Sequence, residues 1–213
     1  MLRLLFPPKC VLCKTILSGS ETDLCHNCRK EAPKFSRAKS NIPFIAHWTA
    51  LWYYKDNVRQ SIHRFKFGKR RNYAAVYGRL LAIRLQEVYP ASFDVLTWVP
   101  VSGLRKLKRG YDQSALLAKA VGQELGVPAT DVLKKIRHTP PQSLLKDASA
   151  RRANVLGAYK TRTNADLSGK RILLLDDVVT TGATASECAK MLLGAGAKEV
   201  CFAAVAAAFH DKK

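Results

Sequence analysis

The stretch LLLDDVVTTGATAS, residues 173–186, decides the fold of this 213-residue chain. Its continuous apolar run before two acids predicts a parallel strand that is buried on both faces. Such a strand would deliver Asp176 and Asp177 to the carboxyl edge of a sheet. The polar residues that follow predict a short loop and then a helix.

This loop has the composition of a phosphate cradle. It consists of Thr180, Thr181, Gly182, Ala183 and Thr184. Hydroxyls and free backbone N–H groups at the start of a helix bind anions. The two preceding carboxylates suit a vicinal diol, so a ribose that carries a phosphate fits both halves of the motif. The alternative is that the same residues only end a strand and cap a helix.

Outward from this motif, strands alternate with helices. Strands are predicted over 47–54, 93–100, 171–177 and 199–209, and helices over 57–67, 72–88, 112–125 and 184–193. Within 72–88, we expect Val76, Leu80 and Ile83 to share the buried face. A basic loop is predicted after Pro100, and 134–160 is predicted to be irregular. The alternation indicates an α/β fold, a parallel sheet with helices on both faces, which binds ligands beyond the carboxyl ends of its strands.

Four of the six cysteines form two C-x2-C pairs, namely Cys10, Cys13, Cys25 and Cys28. This spacing favours one tetrahedral zinc ion. A pair of disulfides or redox dithiols is the alternative, which a reducing cytosol disfavours. We expect a zinc module over residues 1–32 that folds with its metal, a linker over 33–46, and the main domain over 47–213.

The chain has a formal net charge of +20, with 36 Lys and Arg residues against 16 acids. This excess predicts polyanionic partners such as nucleic acid or phosphorylated metabolites, although a basic surface can also serve solubility alone. The longest apolar run, CFAAVAAAF at 201–209, is too short to span a membrane. We therefore expect a soluble intracellular protein.

Several blocks together resemble one family. They are LLFPPKCVLC with LCHNC near the beginning, FKFGKR at 65–70, VPVSGLRKLKRGYDQS at 99–114, RRANVLGAY at 151–159, and the strand-acid-loop motif. The last is similar to the motif of type I phosphoribosyltransferases that binds phosphoribosyl pyrophosphate (PRPP). Taken in order over nearly the whole chain, the blocks resemble the ComF family of competence-associated, phosphoribosyltransferase-like proteins.

The resemblance implies a role for each matching residue. Asp176 and Asp177 would accept the ribose hydroxyls with Mg2+ nearby, and residues 180–184 would hold the 5′-phosphate. The pyrophosphate loop would comprise Val101, Ser102 and Gly103, with charge from Arg105 or Arg109; residues 109–113, RGYDQ, match a family signature. A mobile hood would include Arg137, Gln142, Arg151 and Arg152. Purine-salvage relatives often carry Asp where this chain has Thr180, so a general base from this loop is absent and purine salvage is not expected.

Two functions remain open from the sequence. One is a PRPP-dependent transferase that displaces pyrophosphate. The other is an accessory protein of natural transformation that binds single-stranded DNA and a helicase partner of the DNA-uptake machinery at the inner face of the membrane. For DNA, we expect contacts from Lys69, Arg70 and Arg71, with stacking on Phe65, Phe67 or Tyr111. The alternative is a solvated helix face. No Walker A motif is present, so the chain carries no ATP-driven motor of that class.

Overall fold

The computed structural model describes residues 7–36, 41–89, 92–140, 147–163 and 166–208. The strands are β1 (His47–Tyr53), β2 (Val95–Trp98), β3 (Leu133–Lys135), β4 (Tyr159–Thr161), β5 (Arg171–Val179) and β6 (Glu199–Ala207). The helices are α1 (His26–Glu31), α2 (Asp56–Phe67), α3 (Tyr73–Val88), α4 (Gly103–Arg109), α5 (Gln113–Leu125), α6 (Ala148–Val155) and α7 (Ala183–Gly194).

A parallel sheet forms the centre of the protein, with the strand order β1-β6-β5-β2. Side chains of β5 alternate between two apolar clusters. Leu173 and Leu175 pack with residues of α2, α3 and α5, whereas Ile172 and Leu174 pack with residues of α7. Because both faces of the sheet are covered, the continuous apolar run of β5 lies away from water. The expected α/β fold with helices on both faces is confirmed.

The expected buried face of α3 is wrong at one position. Ile83 is 55% exposed, and the fully covered side chains include Tyr77, Leu81 and Leu85. The difference between the expected and the observed buried face follows from the contact of α3 with α5. In this contact a Cβ at Gly78 would lie only 2.5 Å from Cβ of Ala120. The absent side chain lets the two helices approach closely at this face, and Ile83 turns outward.

Two segments contain more regular structure than we expected. The basic loop after Pro100 is the helix α4, none of whose residues is buried. It ends at Gly110, which has φ of 77°, a conformation that glycine adopts readily. The region 134–160 contains α6 and most of a short antiparallel ribbon of β3 and β4. These elements enclose the carboxyl edge of the sheet.

The N-terminal module packs against α2 and α3. The Ser61 hydroxyl donates to the backbone carbonyl of Val11, and Arg64 donates to that of Leu12. Arg79 forms an ion pair with Asp23. After the module, residues 33–36 run beside β1, where Phe35 N–H donates to the Leu51 carbonyl at 3.0 Å. Among the described residues, no helix is both long and apolar enough to cross a bilayer.

Candidate functional site

The two acids of β5 lie at the centre of a polar cluster. Asp177 is 4% exposed; its carboxylate accepts from Gln113 Nε2 at 2.9 Å and pairs with Lys66 Nζ at 2.8 Å. Asp176 accepts from Ser114 Oγ at 2.9 Å. Residues from α2, α5 and β5 therefore meet at the carboxyl end of one strand.

The two carboxylates differ in their surroundings. Burial and the charge of Asp177 raise the pKa of the Asp176 carboxyl to about 7. Asp177 instead has a cation and an amide donor in direct contact. A carboxyl whose pKa is raised by a neighbouring acid is a common feature of ligand and catalytic sites. A cation bound beside Asp176 would favour its charged form.

The predicted cradle forms a tight turn at the start of α7. Gly182 precedes the helix with φ of 75°, and the Ala183 N–H donates to Thr181 Oγ1 at 3.4 Å. The left-handed conformation favours glycine at this position. The beginning of this twelve-residue helix lines the same cavity as the two acids. This arrangement is suited to binding an anion.

The RGYDQ signature joins three parts of the site. Arg109 ends α4, and the Tyr111 hydroxyl donates to the backbone carbonyl of Phe65. Asp112 caps α5 by accepting from Ala115 N–H at 3.1 Å, and it also accepts from Val101 N–H at 3.3 Å. Burial raises the pKa of the Asp112 carboxyl. Most of this signature is therefore structural, because it holds the loop after β2 against α5 and α2.

Basic side chains from α4 and β3 form a further wall of the site, beside the acids and the cradle. Lys135 Nζ donates to Thr139 Oγ1 at 2.7 Å, and Arg105 donates to the Thr139 carbonyl at 2.9 Å. Burial and the charge of Arg105 lower the pKa of Lys135 to about 8, and burial lowers the pKa of Arg105. Two cations held close together at partial burial favour the binding of an anion.

One cavity of about 660 Å³ brings these groups together. The predicted residues that line it are Val101, Arg105, Arg109, Asp176, Asp177, Thr180, Gly182, Ala183 and Thr184. Ser102, Gly103 and Thr181 adjoin this set without lining the cavity. Within the described part of the chain, Ser102 Oγ and Gln113 Oε1 are buried without a hydrogen-bond partner. The size is in the range of small-molecule sites.

Sequence reasoning missed two cations of this site. Neither Lys66 nor Lys135 is among the predicted site residues, and Lys135 lies in a region expected to be irregular. Lys66 differs from its basic neighbours in its helical position, one residue after the buried Phe65. No local signal distinguishes Lys135, because its partners Thr139 and Arg105 depend on how β3 and α4 pack.

The expected hood is described only in part. Arg137 donates to the carbonyls of Asn154 and Leu156 at 3.1 and 2.9 Å, and so holds the end of α6. Arg151 and Arg152 lie on α6. Gln142 lies outside the described residues.

The expected DNA-contact residues do not form one uniform set. Lys69 and Arg70 are exposed. Arg71 donates to the Gly110 carbonyl at 2.8 Å and lies over the Tyr111 ring. Of the rings expected to stack, Phe65 is 0% exposed and Tyr111 6% exposed, whereas Phe67 is 56% exposed. Of these three rings, that of Phe67 alone presents a large accessible surface.

The four cysteines of the N-terminal module converge. The sulfur atoms of Cys10, Cys13, Cys25 and Cys28 all lie within 4.8 Å of one another, and those of Cys13 and Cys25 are 3.6 Å apart. Zinc–sulfur bonds of about 2.3 Å in a tetrahedron place neighbouring sulfurs roughly 3.8 Å apart. The donor set therefore fits a structural zinc ion.

Comparison with known proteins agrees with both parts of this architecture. Residues 112–213 match the phosphoribosyl transferase domain family, and residues 1–39 match the double zinc ribbon domain family. A solved structure of the allosteric regulatory enzyme of purine biosynthesis is 25% identical, with a TM-score of 0.41, over 61% of this chain and 25% of that chain. The two family matches, together with the parallel sheet and the four converging cysteines, identify a type I phosphoribosyltransferase fold with an N-terminal zinc ribbon.

Curated relatives give the family. DNA utilization protein YhgH of Salmonella typhi is 31% identical over 83% of this chain and 74% of the relative. Competence protein F of Haemophilus influenzae is 26% identical over 90% of this chain and 93% of the relative. Competence protein ComFC of Bacillus subtilis is 28% identical over 69% of this chain and 58% of the relative. The chain belongs to the ComF and YhgH family.

Proposed function

We propose that this protein acts in competence or DNA utilisation, as the names of its relatives state for them. In this proposal it binds a phosphoribosyl ligand in the cavity and single-stranded DNA on its basic surface. The observation that carries the ligand proposal is the convergence of acids, cradle and cations on one cavity. A ribose phosphate presents a diol and an anion at opposite ends, and the cavity offers complementary groups to each.

The chemistry of each wall suggests how the ligand lies. The ribose hydroxyls donate to Asp176, and the 5′-phosphate lies against residues 180–184. The pyrophosphate of PRPP would lie toward Arg105 and Lys135, whose charges favour it. Carboxylate and phosphate oxygens are the ligands that Mg2+ prefers, and bound Mg2+ would neutralise charge on the pyrophosphate beside Asp176 and Asp177.

Calorimetry of PRPP binding in the presence of Mg2+ tests the pocket. Asp176→Asn should weaken binding by about tenfold or more, because one charge-assisted hydrogen bond contributes roughly 1.5–3 kcal/mol. Asp176 is preferable to Asp177, whose buried contacts with Lys66 and Gln113 would be lost as well. Asp131→Asn, which alters an exposed acid paired with Arg162, is the matched control. Equal affinity for the wild type and Asp176→Asn contradicts the assignment.

Single-stranded DNA binding is supported by the charge of +20 and by the exposed residues Lys69 and Arg70. Fluorescence anisotropy over a range of salt concentrations tests it. The double variant Lys69→Ala with Arg70→Ala should flatten the log–log salt dependence by about 1.4 if both contact phosphate. Lys119→Ala with Lys190→Ala removes the same charge from two other exposed positions. Arg71 is left intact because it holds Gly110.

Transferase activity is the second candidate. The basic wall of Arg105, Lys108, Arg109 and Lys135 favours it, because neutralising a departing pyrophosphate is a major part of such catalysis. Mass spectrometry of products after incubation with PRPP, Mg2+ and a panel of nucleobases and amines tests this function. A phosphoribosylated product, formed with release of pyrophosphate, that Asp176→Asn no longer forms would establish the activity.

A further inference from the structure

We propose that the outward side of α4, together with the segment after β3, is a docking surface for an acidic peptide that carries apolar side chains. We call it the α4 surface. It consists of the exposed apolar side chains of Leu104, Leu107, Ile136 and Leu156 and the cations beside them. None of these four apolar side chains lines the cavity of the candidate site.

Helix α4 has two different sides. Arg105, Lys108 and Arg109 line the cavity, as expected for residues that are three or four positions apart on a helix. Leu104 and Leu107, three positions apart, share another side. They are 66% and 82% exposed. The helix therefore turns its cations toward the site and its two leucines toward solvent.

The leucines of α4 belong to a larger group of exposed apolar side chains. Arg105 donates to the Thr139 carbonyl at 2.9 Å, which joins α4 to the segment after β3. In that segment, Ile136 is 54% exposed. The next residue, Arg137, donates to the carbonyl of Leu156, which is 62% exposed. Single exposed apolar residues are common, whereas a group of them in neighbouring segments indicates an interaction surface.

Contacts near both ends hold α4 in place. Near the beginning of the helix, Arg105 makes the contact with the segment after β3. At the other end, Arg71 donates to the Gly110 carbonyl at 2.8 Å, and the Arg109 guanidinium carbon lies 5.0 Å from the centre of the Phe67 ring. A surface that is fixed before binding loses little conformational entropy when a partner docks.

The charge of the α4 surface indicates the chemistry of its partner. Residues 95–111 and 132–146 contain Lys and Arg but no Asp or Glu. Lys106 and Lys108, on either side of Leu107 in the sequence, are both exposed. A partner that covers the leucines comes close to these lysines, and carboxylates on that partner complement their charge.

Three other occupants fit this surface less well. A second copy of the chain would bring the same net charge of +20 against the lysines. Nucleic acid would pair with the lysines but gains its stacking from aromatic rings, which the leucines do not offer. Helices that lie in a membrane surface often have about 20–30 residues, whereas α4 has seven. An acidic peptide with apolar anchors complements both the charge and the leucines.

Fluorescence anisotropy with synthetic peptides tests the proposal. The probe is a labelled peptide of Glu and Ala with two Leu residues three positions apart. One companion peptide has Ser in place of Leu, and a second has Gln in place of Glu. The protein variants are Leu104→Ala with Leu107→Ala, and Lys106→Gln alone. The control is Ile16→Ala with Ile83→Ala, which removes two apolar side chains that are each 55% exposed.

We expect the wild type to bind the probe about tenfold more tightly than either companion, because each companion lacks either the apolar anchors or the charge. Leu104→Ala with Leu107→Ala should weaken the probe by about tenfold. Lys106→Gln should weaken it by about threefold and reduce its dependence on salt. The control should bind as the wild type does. Urea unfolding and the affinity for ribose 5-phosphate should be unchanged in every variant, because these side chains are exposed and do not line the cavity.

Anionic vesicles and oligothymidine test the other occupants. Binding to vesicles of phosphatidylglycerol and phosphatidylcholine is compared with binding to phosphatidylcholine alone. If the leucine variant loses vesicle or oligothymidine binding but keeps the affinity for the probe, the surface belongs to that other partner and the inference is overturned. Equal affinity of the wild type for the probe and either companion, or no binding of the probe up to about 1 mM, also overturns it.

Discussion

Lys66 and Asp177 form an ion pair of 2.8 Å between the last turn of α2 and the acidic end of β5. Both side chains are largely covered, with exposures of 20% and 5%. The same helix contacts the zinc module through Ser61 and Arg64. Helix α2 therefore connects the metal-binding module to the candidate pocket.

Removing this ion pair should destabilise the protein. Lys66→Met removes the cation from the covered Asp177 side chain and leaves Gln113 as its side-chain donor among the described residues, and we expect a loss of about 2–4 kcal/mol. Lys66→Arg should recover most of that loss. Urea unfolding at neutral pH measures both. An unfolding free energy unchanged in Lys66→Met would show that the pair contributes nothing to the fold.

Stability should depend on pH through Asp176. Its pKa is raised to about 7, so the folded state holds this proton more tightly than the unfolded chain. The contribution of Asp176 to stability therefore falls as pH rises from about 4 to about 7. Asp176→Asn removes this dependence.

We expect Asp176→Asn to gain stability relative to the wild type by on the order of 1–3 kcal/mol more at about pH 8 than at about pH 4. Thermal or urea unfolding at both pH values provides the comparison. The same gain at both pH values would mean that the charge of Asp176 does not destabilise the folded protein.

The loss of structure caused by zinc removal should extend through α2 to the pocket. Chelation would release the Val11 and Leu12 carbonyls that Ser61 and Arg64 contact, because metal binding supplies the folding energy of such modules. Hydrogen exchange should then accelerate in α2, while α7, on the opposite face of the sheet, should retain its protection as an internal control. Affinity for ribose 5-phosphate should fall in parallel. Unchanged exchange in α2 after the metal has been removed would contradict this coupling.

Gly182→Ala should destabilise the cradle for two reasons. The backbone there has φ of 75°, and an added Cβ would lie 2.8 Å from the side chain of Ile42. We expect a loss of about 1–3 kcal/mol in unfolding experiments. In an Ile42→Ala background the penalty should fall to about 1 kcal/mol, since only the backbone strain remains. A penalty that is identical in both backgrounds would exclude the contact with Ile42.

The sequence predicted the elements whose signals are local. The apolar run of β5, the two acids and the glycine turn lie next to one another, so the central strand and cradle were predicted with nearly correct limits. Helix α4 was not predicted, because it buries no side chain and so shows no amphipathic pattern. Long-range partners such as Lys66 and Asp177, 111 positions apart, have no local signature. The opposite environments of Phe65 and Phe67 likewise depend on where α2 packs.

A crystal structure of the protein with ribose 5-phosphate tests most directly the claim that the cavity holds a phosphoribosyl ligand. We expect the phosphate within about 3 Å of backbone nitrogens of residues 181–184, and a ribose hydroxyl at a similar distance from an oxygen of Asp176. Density for the ligand outside this cavity, or none at ligand concentrations that saturate binding in solution, would contradict the claim.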